Sequence, residues 1–179
     1  MFKVTDDDAL FFPFAPADLG SSAGATLAGE YNQYLRRWGA FHVGDTWTYD
    51  TRQNARLYVI GHGTNEAGYK SFLQAEAGGN VTVSEIAKRI KDFNFPVGPG
   101  HDVVAWSCQS GGVGNFAQLL TLYLLNQGYS GHKVWGSKLA TGMMTGDGTL
   151  MVKPDGGVQR AAVDDDLDHY IGIGGPRGG

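Results

Sequence analysis

Residues 102–112 of this chain are Asp-Val-Val-Ala-Trp-Ser-Cys-Gln-Ser-Gly-Gly, an apolar run that gives way to a glycine-rich stretch. The apolar part predicts a buried strand over Asp102 to Ser107, and the glycines predict a turn toward a following helix. The only cysteine of the sequence, Cys108, stands at this junction. The pattern therefore places a thiol at the end of a predicted core strand.

An earlier apolar run ends in the same way. Ala55 to Ile60 predicts a second buried strand, and Gly61, His62 and Gly63 follow it directly. If the two strands are parallel neighbours, their carboxyl ends meet at one edge of the sheet, where α/β proteins bind ligands. A thiol and an imidazole at that edge are the minimum equipment for a cysteine nucleophile and its base.

Further strands and helices alternate around these two runs. A capping box at 82–85 and an apolar stripe up to Phe93 predict one helix, and helical spacing predicts two more. The remaining predicted elements are helices over Ala23 to Trp38 and Gly114 to Asn126, and strands over Ala9 to Phe14, Ser71 to Leu73, Lys133 to Gly136 and Thr149 to Lys153. Alternation at this spacing predicts an α/β fold with a mostly parallel sheet flanked by helices.

Composition narrows the class of protein. The chain has 179 residues with 42% hydrophobic content, which favours a single domain over residues 1–179 with its own core. Its formal net charge of −4 argues against nucleic-acid binding.

The start of the sequence is acidic and no apolar run is long enough for a membrane span, so we expect no membrane partner and a cytoplasmic protein where it is made. Export by a system that needs no signal peptide is compatible with this expectation. The glycine-rich segment 172–179 predicts a flexible tail.

The two motifs together resemble the caspase-like cysteine peptidases. In that family one strand ends in His-Gly and a neighbouring strand ends in a small residue, Cys and a Ser/Gly-rich turn. Among its members, the chain most resembles the cysteine protease domains of bacterial toxins, because similar segments follow one another along the chain. These segments are 106–112, 116–120, 128–129 and 134–136. The resemblance covers Leu57 to Gly136, about half of the chain, and leaves residues 1–50 poorly matched. It implies a caspase-like three-layer sandwich.

The resemblance also implies roles for individual residues. Cys108 would attack a peptide carbonyl and form a thioester, and His62 would protonate the leaving amine and then activate water. The backbone amides of Gly63 and Cys108 would form the oxyanion hole. The implied substrate-binding residues are Ser107, Trp135, Gly136 and Ser137.

The same comparison bears on partners. It implies a cysteine endopeptidase that acts on a protein or peptide as a bacterial effector or toxin, with a cognate inhibitor or immunity protein as a further partner. Deamidation and acyl transfer also pass through a thioester, so the sequence does not separate them from hydrolysis. We expect no cofactor and no metal, because no histidine has a partner at metal-ligand spacing. Surface or capping roles are expected for the histidines outside the dyad, which are His42, His101, His132 and His169.

Two other functions remain open at this point. Ser110 fits the nucleophile position of a serine hydrolase, with an acid such as Asp147 or Asp164 and with His169 as base. Alternatively, residues 110–115 could cradle a phosphate at a helix start in a non-catalytic binding module. The acidic run 164–166 could recognise a basic substrate side chain, although a solvated turn is the simpler interpretation.

Overall fold

The computed structural model describes residues 3–21, 26–63, 72–111, 114–154 and 157–173. Its backbone forms eleven strands and four α-helices within those ranges, with a short 3-10 helix at Pro16–Leu19. In chain order the strands and α-helices are β1 Ala9–Phe11, α1 Leu27–Arg37, β2 Ala40–Phe41, β3 Leu57–Ile60, β4 Phe72–Gln74, β5 Asn80–Thr82, α2 Val83–Phe93, β6 Val103–Trp106, α3 Phe116–Asn126, β7 His132–Ser137, β8 Ala140–Thr141, β9 Met151–Lys153, β10 Gln159–Arg160, α4 Val163–Asp166 and β11 Leu167–Gly172.

A six-stranded sheet organises the molecule in the order β11-β7-β6-β3-β1-β2. Five strands are parallel, and β11 pairs antiparallel with β7 at one edge. The predicted α/β fold with a mostly parallel sheet between helices is confirmed. Since parallel crossovers are right-handed, α1 covers one face and α2 and α3 cover the other, which gives three layers.

The two strands that carry the sequence motifs lie side by side at the centre of this sheet. Leu57 of β3 pairs with Val103 of β6, and the pairing continues to Ile60 and Trp106. Every residue of both strands is at most 3% exposed. Burial on both faces explains why these strands are continuous apolar runs rather than alternating ones.

Helix α2 forms where the capping box predicted it. The Thr82 hydroxyl accepts the Glu85 N–H at 3.2 Å, and Asn94 ends the helix in the left-handed region. The Glu85 side chain bonds with Arg89 instead of returning to the cap, so one half of the predicted box is formed. The whole predicted stripe is buried, and it comprises Val83, Ile86, Ala87, Ile90 and Phe93.

Other predicted elements differ in their bounds. The first strand ends at Phe11 rather than at Phe14, and α1 and α3 begin later than their patterns suggested. Residues 1–50, which the resemblance left unmatched, contribute β1, α1 and β2 to the same sheet and its cover. At the other end, Gly172 belongs to β11, and the rest of the predicted tail from 174 lies outside the described residues.

Five strands had not been predicted, namely β2, β5, β8, β10 and β11. Three of the eleven strands form a small antiparallel sheet in the order β10-β9-β8, and β4 pairs with β5. The run 164–166 belongs to α4 rather than to a plain turn, and Asp166 is buried with its carboxylate accepting the Ala162 N–H. In the described part of the chain, no helix has the length and apolarity needed to cross a bilayer.

Candidate active site

The two motif residues meet at the carboxyl edge of the central strands. His62 follows β3 and Cys108 follows β6, and both line one cavity of about 200 Å³. The other walls come from the first turn of α1 and from the segment around β8. The full lining is Thr26, Leu27, Glu30, Ile60, Gly61, His62, Trp106, Cys108, Thr141, Gly142, Met143 and Lys153. The fold therefore brings His62 and Cys108, the pair predicted from the sequence, to the same cavity.

The thiol is partly exposed and interacts with β8. Its sulfur accepts the Thr141 N–H at 3.4 Å and lies 3.7 Å from the Thr141 hydroxyl. These two contacts hold the thiol against β8 at the wall of the cavity.

The imidazole of His62 is oriented by a carboxylate that the sequence analysis missed. Nε2 of His62 lies 2.7 Å from Oε1 of Glu76. The same oxygen accepts the backbone N–H of Leu27 at 2.9 Å, at the start of α1. One carboxylate oxygen thus joins the His62 ring to the first turn of a helix.

Charge on Glu76 follows from these bonds. Burial acts to raise the pKa of its carboxyl, but the hydrogen bonds from His62 and Leu27 outweigh it and lower that pKa below its ordinary value. Because a carboxylate only accepts hydrogen bonds, the proton between the two side chains belongs to Nε2. Nδ1 is then the nitrogen of His62 that accepts a proton.

Antiparallel pairing brings Glu76 to this position. His62 and Gln74 exchange two backbone hydrogen bonds of 3.0 Å, so the segment after β4 runs back past the end of β3. The predicted strand near 71–73 indicated an element in this region. Nothing in the local pattern indicated that it would pair with His62, which is why Glu76 was not found.

Gly63 packs directly on Cys108. A Cβ added at position 63 would overlap the Cys108 carbonyl oxygen and approach its amide nitrogen to 3.2 Å. The backbones of the two predicted oxyanion residues are therefore neighbours. Glycine at 63 is required by this close approach rather than by an unusual backbone angle.

The four residues proposed for substrate binding do not line the cavity. Ser107 and Ser137 are fully buried, and Gly136 packs against the backbone of Gly111. Trp135 donates from its indole nitrogen to Asp102, at the start of the neighbouring strand and away from Cys108. Ser137 and Gly136 contact the turn after Cys108 through their backbones, while Trp135 bonds near the other end of the neighbouring strand.

Ser110 is part of that turn. The residue is 1% exposed, and its hydroxyl donates to the Ala105 carbonyl at 2.7 Å and accepts the Ser137 N–H at 3.0 Å. The ring of His169, in the edge strand β11, instead lies tilted against that of Trp135, with 4.6 Å between the ring centres. A buried hydroxyl with both bonds made inside the fold is poorly suited to act as a nucleophile.

The glycine-rich turn is also closed on itself. The N–H groups of Ser110, Gly111 and Gly114 donate to Ser107, Ser137 and Gln118. The Ala117 N–H, in the first turn of α3, donates to the Ser110 carbonyl. Residues 112 and 113 of this turn lie outside the described residues. The amides of Ser110, Gly111 and Gly114 are therefore committed to bonds within the fold, which disfavours a phosphate cradle.

The remaining histidines have structural contacts. The ring of His42 lies 2.8 Å from the Val43 carbonyl, and that of His101 lies 3.2 Å from the Ala55 carbonyl. His132 is fully buried and contacts the Thr121 carbonyl, so its predicted surface or capping role is wrong. Across the described residues, no cluster of three or more His, Cys, Asp or Glu side chains could hold a metal ion.

Glu30 is the carboxyl that lines the cavity itself. Burial, with the nearby charge of Glu76, raises its pKa to about 7, against the opposing effects of His62 and Lys153. Its place on α1 lies in the part of the sequence that no motif covered. Helical spacing alone could assign it to a helix but not to this cavity.

The sequence matches no protein-family model, and a search of curated proteins finds no match either. The site is therefore defined by its own geometry: a partly exposed thiol, and an imidazole held by a carboxylate at the edge of the same cavity. Residues in this arrangement can carry out nucleophilic acyl chemistry.

Proposed function

We propose that this protein is a cysteine peptidase in which Cys108 is the nucleophile, His62 the acid and base, and Glu76 the residue that orients His62. The observation that carries the proposal is the shared cavity of Cys108 and His62, with Glu76 bonded to Nε2 of the imidazole. Nucleophile, base and orienting group are the three parts that such chemistry requires. The resemblance to caspase-like peptidases supports the same reaction.

The proposed reaction has two steps. The Cys108 thiolate attacks the substrate carbonyl carbon, the C–N bond breaks, and the amine leaves with a proton from His62. A thioester remains on Cys108. Water then attacks it, His62 accepts the proton, and the carboxylic acid leaves as the C–S bond breaks. The amides of Gly63 and Cys108 are the proposed donors to the oxygen that becomes negative.

Glu76 acts through His62 and not on the substrate. By fixing the proton on Nε2, it leaves Nδ1 free to take the proton during catalysis. It also stabilises the imidazolium that forms in each cycle. Glu76 is therefore proposed as a positioning residue.

Single substitutions test the proposal. The measurement is hydrolysis of a mixed peptide library, with mass spectrometry of the products to separate cleavage from deamidation. Cys108→Ala should abolish turnover, and His62→Ala should lower kcat/KM by about 10²- to 10⁴-fold. Glu76→Gln should lower kcat and shift the pH profile while changing KM little.

Ser110→Ala provides the matched control. It removes a buried hydroxyl 2.7 Å from the Ala105 carbonyl, so it should lower stability by about 1–3 kcal/mol and keep cleavage. Loss of cleavage in a folded Ser110→Ala protein, with Cys108→Ala still active, would identify a serine hydrolase instead. Iodoacetamide should also label Cys108 quickly in the folded protein. Labelling as slow as that of a buried thiol would contradict the proposal.

The biological setting follows from the resemblance alone. We propose that the protein acts on a protein or peptide of another cell as a bacterial effector or toxin. A cognate inhibitor or immunity protein in the producing cell is the corresponding partner. Such a partner would cover the cavity at Cys108 and block iodoacetamide labelling.

A further inference from the structure

Glu30 places a carboxyl group in the cavity that holds Cys108 and His62. It lies in the first turn of α1 and is partly buried. Among the described residues, its carboxyl makes no hydrogen bond or ion pair within bonding distance. A partly desolvated carboxylate without a partner is costly, and a ligand that supplies a positive charge removes that cost.

Part of the remaining cavity lining is apolar, beside the polar side chains of Thr26, His62, Thr141 and Lys153. Leu27, Ile60 and Trp106 form walls that are each at most 3% exposed. Lysine and arginine side chains combine a long apolar stem with a charged end, and they bury the stem along apolar surface. A cavity that combines some apolar wall with one carboxyl therefore suits such a side chain.

The other charged groups around Glu30 do not satisfy it. Glu76 and His62 are bonded to each other at 2.7 Å, and Glu76 also accepts the Leu27 N–H. Lys153 lines the cavity but is exposed, so solvent weakens its effect. Tyr34, one turn further along α1, is uncharged, and its hydroxyl accepts the Met144 N–H. Glu30 is thus the carboxyl that a substrate would meet.

We propose that Glu30 determines specificity by binding the positively charged side chain of a lysine- or arginine-containing substrate beside the Cys108 thiol. This rests on the proposed function only in taking Cys108 as the reacting group. A basic substrate would displace water from the cavity and place its cation against the carboxylate, while an acidic one would be repelled.

Affinity labelling of Cys108 tests this without a known substrate. The probes are chloromethyl ketones of N-blocked lysine, leucine, asparagine and aspartate, in which the Cys108 sulfur displaces chloride and forms a thioether. We expect the lysyl reagent to react fastest and the aspartyl reagent slowest. Glu30→Gln should reduce the lysyl-to-leucyl rate ratio by about 10- to 100-fold.

Two variants sharpen the measurement. Lys153→Gln should raise the lysyl-to-leucyl ratio, because it removes the opposing charge from the cavity. Glu85→Gln removes a carboxylate on α2 that pairs with Arg89, outside the cavity lining, and should leave the ratio unchanged. The ratio in the wild-type protein should rise between pH 6 and pH 8 as Glu30 ionises, since ionisation of the thiol cancels between reagents.

Several results would overturn the inference. These are equal rates for all reagents, a preference for asparagine that shows a neutral acid at Glu30, or a lysyl preference that survives Glu30→Gln. Failure of every reagent to reach Cys108 would show that the cavity admits no side chain beside the thiol, and would overturn it too. The proposed peptidase activity fails separately, through absence of Cys108-dependent cleavage.

Discussion

The backbone of Gly63 lies against that of Cys108, so the segments after β3 and β6 are too close to leave room for one added methyl group. Both residues stand at motif positions, and their proximity was predictable because adjacent parallel strands end at the same edge. Glu76 and Glu30 were not predictable in this way. Their contacts with the site cross between elements that share no local pattern.

Gly63→Ala tests this packing at the residue scale. The new methyl group would overlap the Cys108 carbonyl and push the two loops apart, so we expect a loss of about 1–3 kcal/mol in the free energy of unfolding. The rates of cleavage and of Cys108 labelling should fall by more than the loss of folded protein explains. Denaturant unfolding and iodoacetamide kinetics measure the two effects.

Gly79→Ala is the matched control for that substitution. A Cβ at position 79 meets nothing within 4 Å, so stability should change by less than about 0.5 kcal/mol. Equal effects of the two substitutions would contradict the close packing of Gly63 on Cys108.

Helix α2 shows what sequence can predict at the scale of an element. Its start, its end and its buried stripe follow from residues within the helix or next to it, so a local pattern suffices. The two-residue strands β2, β8 and β10 are different, because their pairing depends on distant partners. Strand β11 has mostly exposed or half-exposed side chains, and its apolar pattern is too weak to predict.

Thr82→Ala tests the start of α2. It removes the hydroxyl that accepts the Glu85 N–H, so we expect a loss of about 1 kcal/mol in the free energy of unfolding, measured by urea denaturation. Ser84→Ala, two residues on and exposed, should change stability by no more than a few tenths of a kcal/mol. A neutral Thr82→Ala would mean that packing of the buried stripe alone fixes the helix start.

At the scale of the whole molecule, stability depends on pH through groups whose pKa changes on folding. The pKa of Glu30 rises from 4.5 to about 7, mainly through burial. The folded protein therefore binds more protons than the unfolded chain in that interval, and stability falls as pH rises through it. Burial lowers the pKa of His132, so this residue acts in the opposite sense below its unfolded value of 6.5.

Comparison of wild type with Glu30→Gln isolates the first effect. The variant should gain stability over wild type as pH rises from 4.5 to 7, by a total on the order of 1–3 kcal/mol. Thermal or urea unfolding across this pH range measures the difference. A difference that is constant with pH would contradict the raised pKa of Glu30.

The site draws its parts from four separate stretches of chain: the ends of β3 and β6, the segment after β4, and the first turn of α1. One carboxylate oxygen of Glu76, in the segment after β4, contacts both the His62 ring and the first turn of α1. Such a site cannot be transferred to another scaffold on one short peptide, because no single segment carries all of its parts.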